Sequence, residues 1–168
     1  VVMMFSGIIV QRKSVIRNIA ITGAALLVLL NVLEMAGIKL FSINTGGMMA
    51  FDRFALLFNT IALLATLLYM LLSARDIEKV GINYADYFAL IFFILCGITL
   101  TSSFKSLLIL FLGIEIITIP LYILTGSDKR NLKSNEASLK YFLLGTFSTG
   151  LMLLGIALVY GAQGSFTL

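Results

Sequence analysis

Five stretches of this chain, 15–37, 51–72, 84–102, 104–125 and 137–160, each run for about twenty residues with no more than two charged side chains. A bilayer core about 30 Å thick asks for roughly 17–25 apolar residues per helical span. The runs are apolar on every side and do not alternate, which predicts helices rather than barrel strands. The expected fold class is therefore all-α. It is a polytopic transmembrane helix bundle, one domain over residues 1–168, with about five complete spans. Residues 1–10 are apolar but too short to cross. They carry no basic leader and no small-residue cleavage site, so they read as the tail of a truncated first helix rather than a signal peptide. Residues 161–168 read as a loop within a longer protein.

Composition excludes several chemistries. Of 168 residues 60% are apolar and 12% charged; soluble domains carry about 25% charged residues. There is no His and a single Cys. Zinc, His-ligated haem and iron–sulfur clusters therefore lack a ligand set in this chain. Cys96, inside the apolar run 91–100, reads as a small buried hydrophobe, and a disulfide would need a partner chain. The net charge of +4 contains no basic run dense enough for nucleic acid, so it reads as membrane-orienting charge.

That charge is uneven. One set of connections holds Arg12, Lys13, Arg17, Arg75, Lys79, Lys129, Arg130 and Lys133, with Lys140 close by; the alternate set holds only Lys39, Arg53 and Lys105. The excess predicts the first set on the cytoplasmic side. The joint at 102–106 is short, so the helices on either side of it are expected to be antiparallel neighbours. Asp52 and Arg53 read as an interfacial pair at a helix start, and Tyr84 and Tyr87 as members of an aromatic belt.

Glu115 is the most informative residue. It stands eleven residues into the run 104–125, near mid-membrane at 1.5 Å per residue. A charged carboxyl there costs about 2.5–3.5 kcal/mol even on the mildest scale, so it must face protein or water. Two readings follow: a proton carrier, or a neutral acid making a structural bond between helices. Pro120, five residues on, removes the backbone bond to the Ile116 carbonyl and is expected to kink the helix. Either the freed carbonyl holds water beside Glu115, or the proline is an ordinary one tolerated in a membrane helix. Lys140 opens the last run. From position it reads first as an interfacial anchor paired with Glu136 at i, i+4, and second as a station between the cytoplasm and Glu115. The sequence GTFSTG at 145–150 mimics half a phosphate loop, but Leu151 and Met152 stand where Lys and Ser/Thr are required. Its small residues read instead as a surface for close helix approach.

Three motifs carry a resemblance. LFLGIEIITIPLY at 110–122 resembles the fifth helix of the antiporter-like N subunits of NADH:quinone oxidoreductase (respiratory complex I, mitochondrial counterpart subunit 2). SNEASLKYFLLGTFSTGLMLLGIALVYGAQG at 134–164 is similar to their sixth helix and following loop, and FDRFALLF at 51–58 to the start of their third. The match covers most of the chain from Phe51 onward; the earlier part matches only as generic membrane helix. The resemblance implies an inverted-repeat fold with a glutamate on helix five and lysines on helices six, seven, eight and twelve. Glu115 would be the helix-five glutamate and Lys140 the helix-six lysine. The broken helix seven, whose lysine is expected to partner Glu115, and the second repeat fall outside this sequence. The implied function is proton translocation in a membrane-arm subunit, a translocase part of the enzyme in the bacterial inner membrane. No cofactor is expected in this chain; NADH, FMN, iron–sulfur clusters and quinone belong to partner subunits. Expected partners are other membrane-arm subunits, lipid and protons. Two alternatives stay open: a subunit of a multisubunit Na⁺/H⁺ antiporter or membrane-bound hydrogenase, and a structural or assembly membrane protein in which Glu115 only bonds helices.

Overall fold

Each long apolar run becomes one helix, because within a bilayer only a helix satisfies its own backbone groups. The computed structural model describes Met3, Gly7 and residues 12–38, 45–77 and 84–167. Among these, five helices are long and apolar enough to span: α1 (Lys13–Met35), α2 (Arg53–Ile77), α3 (Tyr84–Ser102), α4 (Leu107–Thr125) and α5 (Leu132–Gln163). The expected truncated helix at 1–10 lies outside the described residues apart from Met3 and Gly7, as do Lys39 and Lys79. The last helix starts five residues before the expected 137, because the Asn131 side chain accepts from the Lys133 N–H at 3.0 Å and caps it there. At 32 residues it is about 48 Å long and overshoots the hydrocarbon layer.

Successive helices pack against one another in an up-and-down order, and α1 also touches α3. The tightest seam joins α3 to α4. A Cβ placed on Gly97 would lie 2.6 Å from Ile117 Cγ1, 2.9 Å from the Gly113 carbonyl oxygen and 2.9 Å from the Ile117 nitrogen. One on Gly113 would lie 2.9 Å from the Thr101 nitrogen. The two backbones therefore touch, as small residues permit in membrane helices. On the other side, Ala20 and Ala24 of α1 are completely buried in a cluster with Met70 of α2 and with Tyr84, Ala85, Phe88 and Ile91 of α3.

Polar side chains tie helices together. Asn31 of α1 donates to the Leu56 carbonyl at 3.1 Å and to Thr60 Oγ1 at 2.7 Å. Buried Asn59 of α2 accepts from Ser102 Oγ of α3 at 2.9 Å. Such bonds contribute about 0.6 kcal/mol each in membrane proteins.

The end of the bundle where α3 turns into α4 is stitched by main-chain bonds. The Ala50 N–H donates to the Ser103 carbonyl at 2.7 Å and the Lys105 N–H to the Met48 carbonyl at 2.9 Å, an antiparallel bridge between Met49 and Phe104. Beyond it, the Leu107 N–H donates to the Phe166 carbonyl at 2.9 Å beside a second bridge, Ser106 to Thr167. Three connections thus satisfy some of one another's backbone groups. The opposite end carries Arg12, Lys13, Lys129, Arg130 and Lys133.

Four side chains correct the sequence reading. Cys96 is exposed on the outer surface of α3 rather than buried. Tyr84 is buried in the α1–α3 cluster and stacks edge-on against Phe88, so it is core rather than belt. Asp52 and Arg53 are both exposed, without an ion pair between them. For Cys96 and Tyr84 the cause is the same: a helix apolar all round carries no periodic signal of which face is inside. Tyr87 remains partly exposed and its hydroxyl meets that of Tyr69 at 2.5 Å.

The basic end is expected in the cytoplasm. Single cysteines at Ser14 and Ser127 should then react with membrane-impermeant thiol reagents from the inside only, and one at exposed Ser165 from the outside only. Labelling of Ser14→Cys from the periplasm would reverse the assigned orientation.

Candidate functional site

The site is built on α4, and on the face of α4 that meets α5. Glu115 is the ninth of the nineteen residues of α4 and is half-buried. It shares a face with Thr118 and Tyr122, three and seven residues on, since seven residues make almost two full turns. Thr118 Oγ1 donates to the Glu115 carbonyl at 3.3 Å. Among the described residues the Glu115 carboxyl itself has no ion-pair or hydrogen-bond partner. Pro120 is buried, and α4 continues through it to Thr125 as one helix.

The seam with α5 is lined by hydroxyls and aromatic rings. Ser134 Oγ donates to the Thr125 carbonyl at 2.7 Å, and Ser138 Oγ to the Tyr122 carbonyl at 2.8 Å. The Tyr122 ring stands edge-on to Tyr141 and Phe142, with centroids 4.9 and 5.7 Å away. Gly145 leaves space for that ring: a Cβ there would overlap the Tyr122 hydroxyl and lie 2.6 Å from Cζ. Gly145 is thus a close-approach residue as expected, whereas Gly150 meets nothing within 4 Å and is exposed. The register follows from these contacts. The Tyr122 carbonyl meets Ser138 and the Thr125 carbonyl meets Ser134, so Glu115, seven residues before Tyr122, is level with about Gly145, seven residues after Ser138.

Lys140 is not brought to Glu115. It lies two residues after Ser138, so its level is about 7.5 Å along the axis from that of Glu115. The positions of α5 that are buried or half-buried in the seam are Ser134, Ser138, Gly145, Thr149, Met152 and Ile156, a stripe that Lys140 falls outside. Its ammonium meets Glu136 Oε1 at 2.5 Å, with the two side chains 69% and 62% exposed. The i, i+4 anchor geometry is therefore present, on the side of α5 turned away from α4. Among the described helices α5 packs only on α4, which leaves that side open. Sequence reasoning passed over Gly97, Gly113 and Tyr122: they lay inside matched or apolar stretches, and only the packing shows what they touch.

The chain is similar to known proteins over most of its length. Residues 104–168 match the family model described as NADH:quinone oxidoreductase/Mrp antiporter, TM. The chain is 46% identical over 120 residues to NADH-quinone oxidoreductase subunit N of Cytophaga hutchinsonii, covering 71% of this chain and 26% of that protein. It is 38% identical over 161 residues to subunit N 2 of Roseiflexus castenholzii, covering 94% and 31% respectively. The chain thus spans between a quarter and a third of these relatives. Among solved structures it resembles a chain of respiratory complex I from Thermus thermophilus, with a TM-score of 0.80 and 28% identity, over 99% of this chain and 36% of that one. The same fold occurs in an archaeal membrane-bound sulfane sulfur reductase, with a TM-score of 0.85 at 23% identity over 98% of this chain and 35% of that one. Fold, motif order and relatives agree: the chain belongs to the antiporter-like membrane subunits typified by the N subunit of NADH:quinone oxidoreductase, and matches part of their length.

Proposed function

We propose that this chain is part of a proton-translocating membrane-arm subunit of NADH:quinone oxidoreductase. The observation that carries the reading is the Glu115 carboxyl, half-way along a membrane-length helix and without a protein partner among the described residues. A group held there at such cost is explained by exchanging a proton rather than by bonding helices. NADH, FMN, iron–sulfur clusters and quinone act in partner subunits, and the assembly sits in a bacterial inner membrane. Glu115 carries the proton at mid-membrane. Lys140 is a second titratable group of the uptake side, and its pairing with Glu136 holds it near the basic end. Pro120 sets the course of α4 beyond Glu115.

A related reading makes the subunit part of a Na⁺/H⁺ antiporter, since the matching family description names both systems. Replacing Na⁺ by K⁺ in a pumping assay separates them, because only the antiporter loses activity.

Lys140 is tested in the intact complex. Lys140→Arg keeps the charge and the reach to Glu136 but does not readily release a proton. The expected result is an assembled complex with pumping lowered several-fold. If Lys140→Arg pumps normally while Lys140→Ala assembles poorly, Lys140 is an anchor only.

A further inference from the structure

The α4–α5 seam holds a polar line that bypasses Lys140. From the basic end it runs through Ser134, Ser138, Tyr122 and Thr118 to Glu115, all on the facing sides of the two helices. The serine and threonine hydroxyls donate to main-chain carbonyls; the two serine bonds cross the seam, and that of Thr118 stays within α4. The Tyr122 hydroxyl differs. Tyr122 is only 6% exposed, and among the described residues its hydroxyl has no hydrogen-bond partner. No side-chain oxygen sealed from solvent lacks a partner among the described residues, so the residual exposure of Tyr122 includes its hydroxyl.

Its direction matters as much as its freedom. The Tyr122 carbonyl is held at Ser138, while its hydroxyl lies against Gly145, seven residues farther along α5. The phenol therefore leans towards the N-terminus of α4, as helical side chains do, and towards the level of Glu115. Glu115 is two turns, about 10.5 Å, from Tyr122 along the same face, and the ring covers much of that distance. Water in the seam would bridge what is left.

We propose that Tyr122 is a proton-relay residue on the way from the basic end to Glu115, its hydroxyl aimed along the α4–α5 seam by Gly145. A phenol hydroxyl is both donor and acceptor. A proton arriving on its oxygen from water at the basic end forms one O–H bond. The original O–H bond breaks towards the bridging water, whose own proton passes to the Glu115 carboxylate. The phenol ends as it began, turned over by one rotation, and no electrons are transferred.

The inference rests on Glu115 being the carrier, and the experiment separates the two. Tyr122→Phe removes only the oxygen and keeps the ring against Tyr141 and Phe142. In the intact complex it is expected to assemble normally and to pump about tenfold more slowly, as loss of one hydrogen-bonding step in a transfer path implies. Normal pumping by assembled Tyr122→Phe, with Glu115→Gln inactive, overturns the relay and leaves the carrier standing. Normal pumping by Glu115→Gln removes both. If Tyr122→Phe fails to assemble, a 3-fluorotyrosine at position 122 decides, since it keeps ring and hydroxyl but makes the phenol more acidic. A shifted pH profile of pumping supports the relay, and an unchanged profile refutes it.

Discussion

Glu115→Gln is expected to leave the complex assembled and to stop its proton pumping, lowering it by at least about tenfold. The amide keeps the shape of the carboxyl and its place on the α4–α5 face, so packing is preserved. It cannot ionise, and a carrier must change protonation state in every cycle. Coupled quinone reduction should fall with pumping, because the membrane arm can no longer complete its cycle. Glu115→Asp ionises but is shorter by one methylene, and should fall between the two. The competing account gives Glu115 a purely structural bond. On that account Glu115→Gln, which can still hydrogen-bond, should pump nearly as well as the unaltered complex. Membrane assembly, NADH:quinone activity and proton uptake, measured together on both variants, decide the matter. A fully assembled Glu115→Gln complex that pumps at the normal rate would disprove the carrier role.

The second large effect is on assembly. Gly97→Leu should deplete the folded subunit from membranes by several-fold or more. Overpacking of a well-packed site costs about 1–3 kcal/mol where neighbours can shift. At Gly97 two of the three obstructing atoms are main chain, the Gly113 oxygen and the Ile117 nitrogen, and these give way only if α3 and α4 separate. Separation would also displace Glu115, two residues from Gly113. The damage should grade with size, Gly97→Ala less than Gly97→Val less than Gly97→Leu, and Gly113 should repeat the series against Thr101. Trimming Ile117 to Ala removes only the side-chain obstacle, so rescue should be partial. Wild-type abundance and thermal stability of Gly97→Leu would show that the two backbones do not meet this closely in the membrane.

Much of the architecture was legible before any coordinates. Length and uniform apolarity identify spans, and a lone acid in the middle of one stands out because its cost has no ordinary explanation. The pairing of Lys140 with Glu136 followed from their spacing on a helix. Facing was not legible. In a soluble bundle the polar side of a helix marks its outside, but here both sides are apolar, so Cys96 could be assigned inward and Tyr84 to the interface against what the structure shows. For the same reason Lys140 could be placed between the cytoplasm and Glu115 by level, while its direction, away from α4, could not be read. Glycines raise the same difficulty. Gly97, Gly145 and Gly150 look alike in sequence, and only the neighbours distinguish a helix contact from open space. Tyr122 was hidden by its ordinary place in a matched motif, since its use depends on which way one side chain leans.

The stitched connections at one end of the bundle have a mechanical consequence. Main-chain bonds join 48–50 to 103–105 and 106–107 to 166–167, while α4 and α5 are joined at their other end by a short polar turn and two serine hydroxyls. Both ends of the α4–α5 pair are therefore tied, one by the covalent turn and the serine bonds, the other through the main chain. At the second end the ties run in series: 166–167 holds 106–107, which continues from 103–105, which holds 48–50. A displacement of the segment after α5 would thus be passed to the start of α2, a helix that α5 itself does not touch.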